Sequence, residues 1–69
     1  MNYVLKYISG DFVGEDSASG GYPYPAMNLW NAKMFNLKEE AEAYLTKLLY
    51  QFPTDKFSSN IYEVVVRLV

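Results

Sequence analysis

The stretch Asn36-Leu37-Lys38-Glu39-Glu40-Ala41-Glu42-Ala43-Tyr44-Leu45 constrains this chain more than any other. Leu37, Ala41, Tyr44, Leu45, Leu48, Leu49 and Phe52 recur at the spacing that gathers side chains on one face of an α-helix. Asn36 is expected to cap that helix, because a short polar side chain accepts a bond from an unpaired N–H of the first turn. Glu39 stands where a capping box places its carboxylate. Glu39, Glu40 and Glu42 add negative charge near the positive end of the helix dipole. Pro53 cannot continue a helix, so the spacing predicts one over about 37–51.

The flanking segments read as strands. Residues 2–8 (Asn-Tyr-Val-Leu-Lys-Tyr-Ile) are β-branched and aromatic, with Tyr3, Leu5 and Tyr7 on one face and Val4, Lys6 and Ile8 on the other. Ser9-Gly10-Asp11 is a turn signal, and Phe12-Val13 can begin a strand that pairs back. Residues 61–69 give the clearest strand. Tyr62, Val64, Val66 and Leu68 alternate on the face expected to meet the helix, and Ile61, Glu63, Val65, Arg67 and Val69 on the other. Residues 14–26 read as an irregular loop, flexible at its Gly/Ser end and stiffened by Pro23 and Pro25. Ala32–Phe35 reads as a short strand entering the helix cap, and Ser58-Ser59-Asn60 as a turn.

The expected architecture is α+β: a small, mostly antiparallel sheet of three to four strands with one helix on one face, in a single domain spanning 1–69. The second sheet face carries more apolar side chains than a solvated face should. It is expected to meet a second subunit, a partner or the 14–26 loop.

Size and composition exclude much chemistry. A core built from 69 residues rarely supplies more than about 3–5 kcal/mol, and small domains usually add a disulfide, a metal or a partner. With no cysteine and no histidine, disulfides, thiolate metal sites and the commonest general base are all missing. Self-association is the reinforcement that remains, so a homo-oligomer is expected. The six basic residues are scattered and the net charge is −2, which disfavours nucleic acid as a partner. No apolar run approaches the ~20 residues that cross a membrane. The N-terminal stretch is too polar and too short to read as a signal peptide, and the lack of cysteine fits a reducing cytoplasm.

No catalytic constellation emerges. Asp11, Glu15 and Asp16 lack the alternating pattern of a calcium loop, and Gly20-Gly21 runs into Tyr-Pro-Tyr-Pro rather than a helix, unlike a phosphate cradle. The serines and threonines have no histidine to activate them. No metal, cofactor or enzymatic activity is expected. The suggestive stretch is Tyr22-Pro23-Tyr24-Pro25 with Met27, Leu29 and Trp30 behind it. Rigid aromatics dominate binding hot spots, so these side chains are the candidate partner-binding residues. The competing reading folds Trp30 and Leu29 under the helix as core and lays Tyr22 and Tyr24 over the sheet. A ligand-binding alternative uses tyrosines to stack a base and Lys6, Lys33 or Arg67 to meet phosphate.

The run Asn31-Ala32-Lys33-Met34-Phe35-Asn36-Leu37-Lys38-Glu39-Glu40-Ala41, behind an N-terminal Tyr-Val-Leu-Lys strand, resembles a pattern in small phage- and prophage-encoded proteins. That group includes anti-restriction and anti-CRISPR-like inhibitors. With the acidic balance, the missing catalytic residues, the small size and the aromatic loop, the expected function is a non-enzymatic, phage-encoded protein that binds and modulates a host protein in the host cytoplasm through the 14–30 loop and the exposed sheet face or edge. The alternatives are a protein that sequesters a nucleotide between subunits and a structural assembly protein.

Overall fold

The computed structural model describes residues 2–64. The chain runs β1 (Asn2–Tyr7), β2 (Phe12–Asp16), a 3₁₀ turn at Ser17–Ser19, β3 (Tyr22–Ala26), a second 3₁₀ turn at Leu29–Asn31, α1 (Lys38–Gln51) and β4 (Phe57–Val64). The four strands form one antiparallel sheet in the order β3-β2-β1-β4. The expected α+β fold is present. The rest of the expected final strand, residues 65–69 with Arg67, lies outside the described residues.

Helix α1 buries Ala41, Leu45 and Leu48 against Leu5, Val13, Phe35 and Phe57, with Tyr3, Tyr7, Tyr44, Phe52 and Ile61 packed around them. The buried helical positions are spaced by three and four residues, as one stripe of a helix must be. Two residues assigned to that stripe fall off it: Leu37 is 55% exposed and Leu49 is 47% exposed. The cap also differs from expectation. Leu37 occupies the N-cap position with extended backbone (φ −118°, ψ 142°), and no side chain caps the helix. Asn36 therefore stands one residue too early to reach the first-turn N–H groups, and no capping box forms with Glu39.

The 14–26 segment is not a loop. It is a β2–β3 hairpin with register Phe12↔Ala26, Gly14↔Tyr24 and Asp16↔Tyr22, closed by a turn in which Asp16 Oδ1 accepts from the Ala18 N–H. Pro23 and Pro25 are compatible with a strand because β3 is an edge. Prolines two apart turn their nitrogens to the same side. The ladder to β2 runs through Tyr22, Tyr24 and Ala26, and the missing donors face outward.

Strands β1 and β2 pair in register only at Lys6↔Phe12, next to their turn. Residues 33–35 bond to both strands beyond that point. The Lys33 N–H donates to the Val13 carbonyl at 3.0 Å, and Phe35 exchanges two backbone bonds with Tyr3 at 2.8 and 2.9 Å. The short strand expected over 32–35 is thus a single bridge at Phe35.

Two features of β4 differ from the sequence reading. Ser58–Asn60 is a bulge inside the strand rather than a turn, since Leu5 pairs with Ile61 and Tyr7 with Phe57. The alternation also runs opposite to expectation. Ile61, paired with Leu5, faces the helix, while Tyr62, paired with Val4, faces away. The expected Tyr62/Val64 face is therefore not the one covered by α1.

Candidate functional site

The face opposite the helix is not bare. Val4 is only 1% exposed there, and the Lys6 ammonium sits 5.1 Å from the Phe12 ring centre and 4.7 Å from that of Tyr62. Over β2 the cover is the 28–31 turn, not the 14–26 segment. Its seat is made by a glycine. A Cβ on Gly14 would stand 2.7 Å from two ring carbons of Tyr24 and 2.8 Å from the Asn31 carbonyl oxygen. Only a bare α-carbon lets the ring and the turn come this close.

The turn is built from short polar bonds. Asn31 N–H donates to the Asn28 carbonyl at 3.3 Å, Ala32 N–H to the Leu29 carbonyl at 3.2 Å, and the Asn31 side-chain amide to Asn28 Oδ1 at 3.1 Å. The Tyr24 hydroxyl donates to the Asn31 carbonyl at 3.4 Å. The chain enters the turn from Ala26, paired with Phe12, and leaves it at Lys33, bonded to Val13. Strand β2 therefore holds both ends.

This mounting leaves two large side chains in solvent: Trp30 at 93% exposure and Met27 at 89%. The core reading of Trp30 does not hold. Leu29 is half-buried and Tyr24 lies on the sheet. Tyr22 projects at the far end of β3, edge-on to Phe52 with ring centres 5.7 Å apart. Of the sequence-chosen residues, then, Met27 and Trp30 are displayed, Tyr24 supports the display, and Tyr22 belongs to a separate contact with the helix end. Gly14 and Asn31 were not singled out from sequence. A glycine inside a strand is the signal that marks close approach of another backbone.

Lys6 and Lys33 each lie against a tyrosine ring, but on opposite faces of the sheet, so they do not converge on one site. Lys6 is held between Phe12 and Tyr62, on the face away from α1. Lys33 lies on the helix side, 3.4 Å from Glu15 Oε1, with its ammonium 5.6 Å from the Phe35 ring centre and 5.3 Å from that of Tyr44. Tyr44 donates to Glu15 Oε2 at 2.8 Å. That bond, and then the Lys33 charge, hold the Glu15 carboxyl below its usual range. Burial, then the Glu15 carboxylate, push the Tyr44 hydroxyl up. These groups tie the β2–β3 hairpin to the helix.

Among the described residues, no group of three acidic side chains is placed to hold a metal ion. No helix among them is long and apolar enough to cross a membrane. No family model, no curated protein and no solved structure matches this chain.

Proposed function

We propose that this chain is a non-enzymatic binding module that presents Trp30 and Met27 to a protein partner. In keeping with a resemblance to small phage-encoded proteins, some of which are inhibitors, we take that partner to be a host protein, blocked or modulated in the host cytoplasm. One observation carries the reading: the only tryptophan in the chain is 93% exposed on a turn fixed at both ends by the sheet. Exposing a tryptophan forgoes the burial energy of a large aromatic, which a small core needs. A rigid mount also lowers the entropy lost when a partner closes over the side chain.

The test is capture from host lysate with the wild-type chain and with the Met27→Ala/Trp30→Ala double variant as baits. Both should melt within a few degrees of one another, since neither side chain is buried. A partner enriched by the wild type should be lost from the variant, with affinity reduced by about 2 kcal/mol or more. Equal recovery by both baits would refute the turn as the binding surface.

A further inference from the structure

We propose that the outer edge of β4 receives a second copy of this chain, joining two four-stranded sheets across a two-fold axis. The two edges of the sheet are unlike. On β3 the outward donors are deleted by Pro23 and Pro25. On β4 no proline interrupts Phe57–Val64, and among the described residues its backbone-to-backbone bonds run to β1 alone, while in the bulge the Asn60 N–H donates to Ser58 Oγ at 3.2 Å. An antiparallel strand edge is its own complement, so two copies of β4 satisfy one another. With the other edge closed, addition stops at a pair and cannot grow into a fibre.

The surroundings of β4 fit the same occupant. A groove of about 540 Å³ runs between α1 and β4, lined among others by Lys38, Glu42, Leu45, Ile61 and Tyr62. Lys38 and Glu42 sit one helical turn apart, with the lysine first, the weaker order for an ion pair within a helix. Among the described residues neither forms an ion pair; the one pair there joins Lys33 to Glu15. A two-fold axis normal to the sheet, beside β4, pairs the two strands antiparallel and sets the two helices antiparallel beside each other on one face. Lys38 of each copy then comes opposite Glu42 of the other, and both charges are matched by one operation. The regular part of the edge begins at Ile61, because the Ser58–Asn60 bulge precedes it.

Such a pair leaves both copies of β3 at the outer ends. If the proposed function is correct, it carries two Trp30 turns and gains avidity for a paired or repeated target. The dimer itself does not depend on that reading.

The chain has no cysteine, so a single introduced thiol reports its own neighbourhood. Asn60→Cys and Glu63→Cys lie on the β4 edge, and Pro25→Cys on the β3 edge is the control. Under mild oxidation at least one β4 variant should form a disulfide-linked dimer, and the control should not. In light scattering, the wild type should show twice its 7.9 kDa mass and fall to that mass on dilution. Lys38→Glu should weaken the dimer at least tenfold, and Lys38→Glu/Glu42→Lys should restore it. A wild type that stays at 7.9 kDa up to millimolar concentration would overturn the proposal. So would cross-linking through position 25 instead of β4, or a dimer indifferent to Lys38→Glu. These readouts need no host partner, so failure here is separate from failure of the Trp30 surface.

Discussion

Tyr24 and Gly14 are cross-strand partners, and the ring of Tyr24 lies where a side chain on Gly14 would be. An aromatic ring laid over a strand glycine shields backbone that would otherwise be bare, and it pins the register of the pair. Here it does a third thing. Its hydroxyl donates to the Asn31 carbonyl, so the ring also positions the turn that displays Trp30.

Gly14→Ala should therefore act on stability and on the turn together. The new methyl would meet both the Tyr24 ring and the Asn31 backbone, and a backbone neighbour yields less readily than a flexible side chain. Overpacking of this kind typically costs about 1–3 kcal/mol. Thermal melts measure the loss. Trp30 is the only tryptophan, so its emission and quenching by iodide report the turn directly. An unchanged melt with unchanged emission would show that neither the Tyr24 ring nor the turn packs closely on Gly14.

At the helix start, Asn36→Ala should be nearly silent, within about 0.5 kcal/mol, because Asn36 does not cap. Leu37→Asn should instead stabilise by roughly 0.5–1 kcal/mol. It puts a capping side chain at a position whose backbone is already extended, and it removes an exposed leucine. Urea titrations of both variants check the one-residue shift. A loss of 1 kcal/mol or more for Asn36→Ala would restore Asn36 as the cap.

The misplaced cap shows what was legible in the sequence and what was not. The periodicity that reveals α1 is carried by Ala41, Leu45 and Leu48, and it survives an error of one residue at the end. The identity of the cap does not, since Asn36 and Leu37 differ by one position. Tyr22–Ala26 read as a loop because prolines remove ladder donors. Only strand order tells that these nitrogens point out of the sheet, and strand order is a tertiary fact. The face of β4 that meets the helix is ambiguous in the sequence for a related reason. Ile61 and Tyr62 are both apolar enough for either side, and their pairing with Leu5 and Val4 decides the matter. In the candidate site, Trp30 was visible as an aromatic near prolines. Its exposure depends on Gly14 and Asn31, residues with no chemistry of their own to announce them.

Two leucines four residues apart on the same helix should respond differently to truncation. Leu45 packs into the core, and Leu45→Ala should cost about 2–5 kcal/mol, the range for a buried leucine whose cavity only partly collapses. Leu49 faces solvent, and Leu49→Ala should change stability by no more than about 0.5 kcal/mol. Melting both variants side by side tests the face assignment. Equal losses would mean that α1 is rotated about its axis.

The Glu15–Tyr44 bond should make stability depend on pH at both ends of the scale. Glu15 has its carboxyl held below the ordinary value of 4.5, first by the Tyr44 hydroxyl and then by the Lys33 charge. A group whose folded pKa is depressed stabilises the fold above its unfolded value, and that contribution disappears as the pH falls through the folded value. Glu15→Gln removes the titration while keeping an acceptor for Tyr44. The melting-temperature gap between wild type and Glu15→Gln should be full at pH 6 and shrink steadily once the pH drops below about 4.5. Tyr44 behaves in the opposite sense. Its hydroxyl is raised above 10.0, first by burial and then by the Glu15 carboxylate, so its contribution is full below that value and fades as the pH rises through the raised one. Tyr44→Phe keeps the ring against Phe35 but gives up the bond. Its gap to wild type should hold through pH 9 and close only in stronger alkali. Gaps that stay constant across both ranges would mean that Glu15 and Tyr44 do not interact in solution, and that the hairpin is held on the helix by Val13 and its apolar neighbours alone.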